Sequence, residues 1–181
     1  MWSDYVLNVK VRFVMEKVFI SENISFVRPS EKLVNDYLEM VNDIENVAQY
    51  IGSRREPYSY EDEVKFVRGK LKENAPIFSM IESKSGEFIG NIELMDIKDG
   101  TGELGIAITA KKQNMNYGTE AIKRMLEYGF DEMGLKCIIL KVYPNNERAI
   151  HVYEKCGFVK YDVTEKDIFM EVVKGLQNAE M

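Results

Sequence analysis

The segment from Gln113 to Met133 limits what this chain can fold into more than any other. It follows Glu103-Leu104-Gly105-Ile106-Ala107-Ile108, which reads as a strand, and opens with the turn Gln113-Asn114-Met115-Asn116-Tyr117-Gly118-Thr119. Then Ile122, Met125, Leu126, Phe130 and Met133 recur at spacings of three and four, which puts them on one buried face of a helix. A strand, a turn and a helix in that order leave the first helical N–H groups without intrahelical partners, and the helix dipole adds partial positive charge at the same place. A pyrophosphate can sit at such a join without needing lysines.

A second glycine pattern competes with this one. Gly100-Thr101-Gly102-Glu103-Leu104-Gly105 spells the dinucleotide-binding fingerprint, with Glu120 at a plausible distance for a ribose contact. That fingerprint requires a strand before its glycines and a helix after them. Here Asp99-Gly100 signals a hairpin turn and Ile106-Ala107-Ile108 continues as strand, so a nicotinamide enzyme is rejected.

Composition narrows the class. With 181 residues, 45% of them hydrophobic, the chain can bury one sizeable core, and a single domain is the simplest arrangement. No apolar stretch approaches a membrane span and the N-terminus lacks a secretory pattern, so a cytoplasmic protein with no membrane partner is expected. Its net charge of −6 and pI near 5.0 argue against nonspecific nucleic-acid binding and permit a cationic substrate. Cys137 and Cys156 show no metal spacing, so buried thiols and no bound metal are expected. The single histidine, His151, falls on the exposed side of a helix whose apolar side is Ala149, Val152, Tyr153 and Cys156.

The remaining elements follow in order. A helix should run from Pro29-Ser30 to about Val41 with Leu33, Tyr37, Leu38 and Val41 inward, and a short one should cover Ile44 to Ile51 and end at Gly52. Ser59 with Asp62 suggests an N-cap with an acidic first turn, opening a helix through Val64, Phe66, Val67 and Leu71. Ile77 to Glu82, Phe88 to Ile97 and Glu103 to Thr109 form an antiparallel meander with turns at Lys84-Ser85-Gly86 and Asp99-Gly100. The helix after the cradle then crosses over to Cys137 to Val142, which can lie parallel to the Glu103 strand. After a helix begun at Asn146, Phe158 to Val163 and Ile168 to Val173 make a last hairpin. The expected fold is α/β (α+β): a mixed, mostly antiparallel, twisted sheet of about seven strands with helices on both faces. Residues 1–17 would be an N-terminal extension, either an added strand or extra sequence, 18–174 the single domain, and 175–181 a tail.

Two stretches resemble one family. Gln113 to Gly118 matches a Gln-x-x-Gly-x-Gly/Ala pyrophosphate loop, and Asn146-Glu147-Arg148-Ala149-Ile150-His151-Val152-Tyr153-Glu154-Lys155-Cys156-Gly157-Phe158 matches an Asn-x-x-Ala-x-x-x-Tyr-x-x-x-Gly-Phe segment. Both are hallmarks of the GNAT superfamily of acyl-CoA-dependent N-acetyltransferases, and they occur in the family's order. The likeness covers roughly residues 18 to 173, and in layout it is similar to the branch of ribosomal-protein and spermidine N-acetyltransferases. One departure is Asn116 in place of the first loop glycine. Asparagine tolerates the left-handed backbone, so the fold should survive, and any cost should fall on tight cofactor binding.

The resemblance implies direct transfer from acetyl-CoA, as co-substrate, to an amine. It implies that Ile106, Ala107 and Ile108 pair with pantetheine like an added strand, that the amides of Gln113, Asn114, Met115, Asn116, Tyr117, Gly118 and Thr119 hold the pyrophosphate, and that Ala149 and Asn146 adjoin the cofactor. Asn146 could equally cap its helix. Tyr153 would protonate the coenzyme A sulfur, and Glu103 would accept the amine proton, with Glu93 or a helix carboxylate as alternatives. An amine of pKa near 10.4 costs about 4 to 5 kcal/mol to deprotonate at pH 7, against roughly 1 to 1.4 for an α-amine. With one base named, a protein N-terminal α-amine is the slightly preferred acceptor and a polyamine or other small amine the alternative. A catalytically silent acetyl-CoA binder is a rival of another class. A monomer or a homodimer is expected.

Overall fold

The computed structural model describes residues 17–52 and 56–176. Of the expected extension only Lys17 is among them, and of the expected tail only 175 and 176; the rest of both lies outside the described residues. A single eight-stranded sheet runs in the order β1-β2-β3-β4-β5-β6-β8-β7. Its strands are β1 (Lys17–Ile20), β2 (Ile24–Val27), β3 (Ile77–Glu82), β4 (Phe88–Lys98), β5 (Thr101–Ile108), β6 (Cys137–Val142), β7 (Val159–Val163) and β8 (Ile168–Val173). Every neighbouring pair is antiparallel except β5 and β6. The count exceeds the expected seven by one because the first segment folds into a hairpin whose outer strand, β1, is only four residues long and mostly exposed.

Five helices cover the two faces: α1 (Val34–Val41), α2 (Gln49–Ile51), α3 (Tyr60–Lys72), α4 (Tyr117–Glu127) and α5 (Glu147–Lys155). On one face α4 and α5 bury Tyr117, Ala121, Ile122, Met125 and Ile150 against Ile92, Leu94, Leu104 and Ile138. On the other, Val34, Tyr37, Met40 and Val67 from α1 and α3 pack with Val27, Ile81 and Phe88. Ser59 caps α3 as expected, and with Asp62 it completes a reciprocal capping box. Phe66 and Leu71 of α3, expected to mark its course, are 38% and 42% exposed; Val67 carries the buried contact. Ile44–Ala48 is wound wider than an α-helix and leads directly into α2.

The dinucleotide fingerprint dissolves in this geometry. Asp99 and Gly100 both have positive φ and form the hairpin turn closed by Lys98 and Thr101. Glu120 accepts hydrogen bonds from Ser21 Oγ (2.5 Å), Asn23 N (2.7 Å) and Asn23 Nδ2 (3.0 Å), which spends it on fastening α4 to the β1–β2 turn.

One irregularity positions everything that follows. β5 and β6 pair only through Thr101–Cys137, Gly102–Ile138 and Glu103–Ile139. Beyond Glu103 the two strands part, β5 staying with β4 and β6 with β8. The edge of β5 from Leu104 to Ile108 therefore has no strand beside it on the β6 side, so its backbone groups, apart from the Ile108 carbonyl that Gln113 holds, are available to a ligand.

Candidate active site

Two cavities meet at this parting. The first, of about 460 Å³, runs between β5, the turn after it, the start of α4 and the side of α5, under the Asn46–Ile51 segment. The second, of about 510 Å³, lies between the α1/α3 side of the sheet and the β7–β8 loop. Tyr50, Ile51, Ile106, Ala107, Lys141 and Tyr153 line both.

The turn before α4 is built for positive φ. Asn114 and Asn116 sit at φ 60° and 66°, in the left-handed region that asparagine tolerates better than other side chains. The fold thus accommodates Asn116 as expected. The first helical bond of α4 runs from Glu120 N to Asn116 O, so the amides of Tyr117, Gly118 and Thr119 stand ahead of the helix's own ladder. Asn116 makes no side-chain cap. A Cβ on Gly118 would lie 3.4 Å from Ile108 Cδ1 and 3.8 Å from Val152 Cγ1, so this glycine lets the turn approach both β5 and α5.

Gln113 ties three elements together. Its Nε2 donates to Ile108 O (2.9 Å) and Asn46 O (3.3 Å), while its Oε1 accepts from Arg148 Nη1 (2.7 Å). Below the turn, Glu82 accepts from Ser85, Tyr117 and Lys112, and these bonds bring its carboxyl down to about 2.

Of the residues singled out in the sequence, Ile106, Ala107, Ile108, Gln113, Asn114, Asn116, Gly118, Thr119, Asn146, Ala149 and Tyr153 all line the first cavity. Glu103 lies in the second cavity, and two side chains of the turn line neither. Met115 is 53% exposed, and the Tyr117 ring is buried in the core with its hydroxyl on Glu82, so these two can offer only their backbone. Asn146 caps α5, its Oδ1 accepting from Ala149 N at 3.3 Å, and also lines the cavity.

Tyr153 packs edge-on to Phe158. Burial, with a smaller push from Cys156, raises its phenol to about 12, so the hydroxyl keeps its proton throughout the neutral range. Burial likewise raises Cys156 to about 11, as expected of an inert thiol. Glu103 lines the second cavity, where its carboxylate meets Lys141 Nζ at 3.3 Å. Glu93, the alternative base, lines the same cavity and accepts from Lys70 Nζ at 2.6 Å. Lys70 is well covered whereas Lys141 is half exposed; Glu103 is the carboxylate whose partner has room to swing away.

The sequence reading missed the electrical contrast between the cavities. The first is lined by Lys112, Lys141, Arg148, His151 and Lys155 and by no carboxylate. Among the described residues, the second is lined by Glu63, Glu93, Glu103 and Asp167, with Lys141 its single cation. Arg148, His151 and Lys155 are spaced i, i+3, i+7 on α5, a stripe that helical periodicity reveals once one knows which face is covered. His151 is exposed, as expected, and still reaches the cavity wall. Among the described residues, no three His, Cys, Asp or Glu side chains cluster as a metal site, and no helix is long and apolar enough to cross a membrane.

The model of the GNAT acetyltransferase domain matches residues 24–159. The chain belongs to the GNAT family of N-acetyltransferases. It is 29% identical over 137 residues to the spermidine N(1)-acetyltransferase of Vibrio cholerae, a match spanning 74% of this chain and 78% of that one. A similar match, 29% over 134 residues and 73% and 71% of the two chains, links it to the spermidine N(1)-acetyltransferase of Escherichia coli. In fold, a GNAT acetyltransferase from Bacillus anthracis superposes with a TM-score of 0.75 at 24% identity, over 85% of this chain and 96% of the other. The Vibrio cholerae spermidine N-acetyltransferase, solved in complex with CoA and spermine, gives 0.72 at 21% identity, over 87% and 99%. GNAT enzymes use acetyl-CoA, and the unpaired β5 edge, the free first-turn amides and the cationic, carboxylate-free wall of this chain's first cavity fit such a co-substrate.

Proposed function

We propose that this enzyme acetylates a primary amine on a small polycation of the polyamine class, drawing the acetyl group from acetyl-CoA held in the first cavity. The observation that carries this reading is the reversal of charge across Tyr153: cations line one side and four carboxylates the other. An anionic co-substrate and a polycationic acceptor would each meet complementary charge. The spermidine acetyltransferases among its relatives support the same acceptor class. The preference for an N-terminal α-amine rested on a single available base, and the acceptor cavity supplies more acidic groups than that.

In this reading the backbone of Ile106 to Ile108 pairs with the pantetheine amides, and the amides at the start of α4 hold the pyrophosphate. Arg148 and Lys155 face the phosphates. Glu103 takes a proton from the acceptor ammonium, the step that costs about 4 to 5 kcal/mol at pH 7 for an amine near 10.4. Tyr153, held protonated by its burial, donates to the departing sulfur.

The test is thiol release from acetyl-CoA with spermidine, spermine, a monoamine and a peptide with a free N-terminus. Polyamines should give the highest kcat/KM. Faster turnover of the peptide would overturn the acceptor class, and cofactor binding without turnover of any amine would leave only a silent binder.

A further inference from the structure

We infer that Lys141 is an internal acceptor: with no amine substrate present, its own Nζ becomes acetylated. This rests on the reading of the first cavity as the acetyl-CoA site. Among the described residues, Lys141 is the sole charged one that lines both cavities, alongside Tyr153, Ile106 and Ala107. It stands on β6 two residues past Ile139, the last partner of Glu103, and so on the same face of the sheet as Glu103. Across the gap its ammonium lies 3.3 Å from the Glu103 carboxylate. A primary ammonium therefore already occupies the position, beside the candidate base, that an acceptor must reach. Its side chain is half exposed, which leaves the stem free to turn its nitrogen toward the first cavity.

The chemistry is that of the intermolecular reaction. Glu103 takes one proton from the Lys141 ammonium and passes it to solvent. The freed nitrogen lone pair forms a C–N bond to the thioester carbonyl carbon. The C–S bond then breaks, with Tyr153 giving its proton to the sulfur, and the second proton lost by the nitrogen restores the phenol. One acetyl-lysine, one coenzyme A thiol and one proton result. The modification removes the Lys141 charge from the wall of the acceptor cavity and leaves Glu103 without this ion pair, so the modified enzyme should bind polycations more tightly.

The experiment incubates the purified protein with acetyl-CoA alone and follows intact mass and peptide maps. The expected result is one added acetyl group, located on Lys141, suppressed by excess spermidine and absent in Lys141→Arg, which keeps the charge but offers no acylable amine. Tyr153→Phe should slow labelling at this position about a hundredfold, the size of a lost general acid. Unmodified Lys141 in an enzyme that turns over added amines would sink this inference and leave the proposed function standing. Label spread over surface lysines at equal rates and indifferent to Tyr153→Phe would also sink it, as spontaneous chemistry. Neither labelling nor turnover of any amine would mean that the proposed function had failed, and this inference with it.

Discussion

Gln113 Oε1 accepts a 2.7 Å hydrogen bond from Arg148 Nη1, joining the turn before α4 to the first turn of α5 across the mouth of the first cavity. The same glutamine donates to Ile108 O and Asn46 O, so one side chain sets the spacing of the strand edge, the overlying segment and the cationic stripe.

Removing Arg148 should therefore weaken acetyl-CoA binding in two ways, by loss of a facing charge and by loosening Gln113. Both groups are exposed, which limits the effect to about 1 kcal/mol, roughly a fivefold rise in KM for acetyl-CoA. Initial rates of Arg148→Ala should show that rise with little change in kcat, and the difference should shrink as salt is added.

Tyr153→Phe keeps the ring against Phe158 and removes only the hydroxyl. Turnover should fall by about 10²- to 10⁴-fold, the span typical of a lost general acid, while the acetyl-CoA dissociation constant measured by calorimetry stays within about twofold. The pH profile offers an independent check. A free tyrosine loses its proton near 10, but burial lifts Tyr153 to about 12. The wild-type rate should rise with pH as the acceptor amine deprotonates and should show no downturn through the ordinary tyrosine range.

The cradle and the motif tyrosine were legible in the sequence because they depend on local patterns. Helical spacing placed Ile122 and Met125 inward, and the Gln113–Thr119 turn preceded them. The strand β1 was harder to read because four mostly exposed residues carry almost no periodic signal. Glu103 and Glu93 could be named as candidate bases, but Lys141, Glu63 and Asp167 were not legible at all. Glu63 comes from α3, Glu93 and Glu103 from adjacent strands and Asp167 from the last hairpin, and only the parting of β5 from β6 gives them a common cavity. In sequence Glu63 and Asp167 read as ordinary solvated charges. Tyr117 divides its roles: its amide stands ahead of α4 as the loop motif suggested, while its ring fills the core and its hydroxyl holds Glu82.

Asn116 tests how much the turn depends on its left-handed backbone. At φ 66° a β-branched side chain is strained. Asn116→Val should lower stability by about 1 to 2 kcal/mol and weaken acetyl-CoA binding, because the amides ahead of α4 would be misaimed. Asn116→Gly should hold the same backbone and keep binding close to wild type. Thermal melts with and without acetyl-CoA separate the two effects. Equal melts and affinities for the three proteins would show that the positive φ at this residue does not govern the turn.

Glu82 should make the cradle acid-sensitive in a defined window. Its carboxyl is lowered from 4.5 to about 2 by hydrogen bonds from Ser85, Tyr117 and Lys112, so the folded chain favours the ionised form. A group depressed in this way contributes its stabilisation fully above its unfolded value and loses it as pH falls toward the folded one. Above about pH 5, the wild type should melt higher than Glu82→Gln, with the gap closing steadily between the two values. Amide exchange across residues 110–119 should speed up over the same interval in the wild type and be fast at every pH in the variant. A pH-independent gap between the two proteins would show that Glu82 supports the turn through shape rather than through its charge.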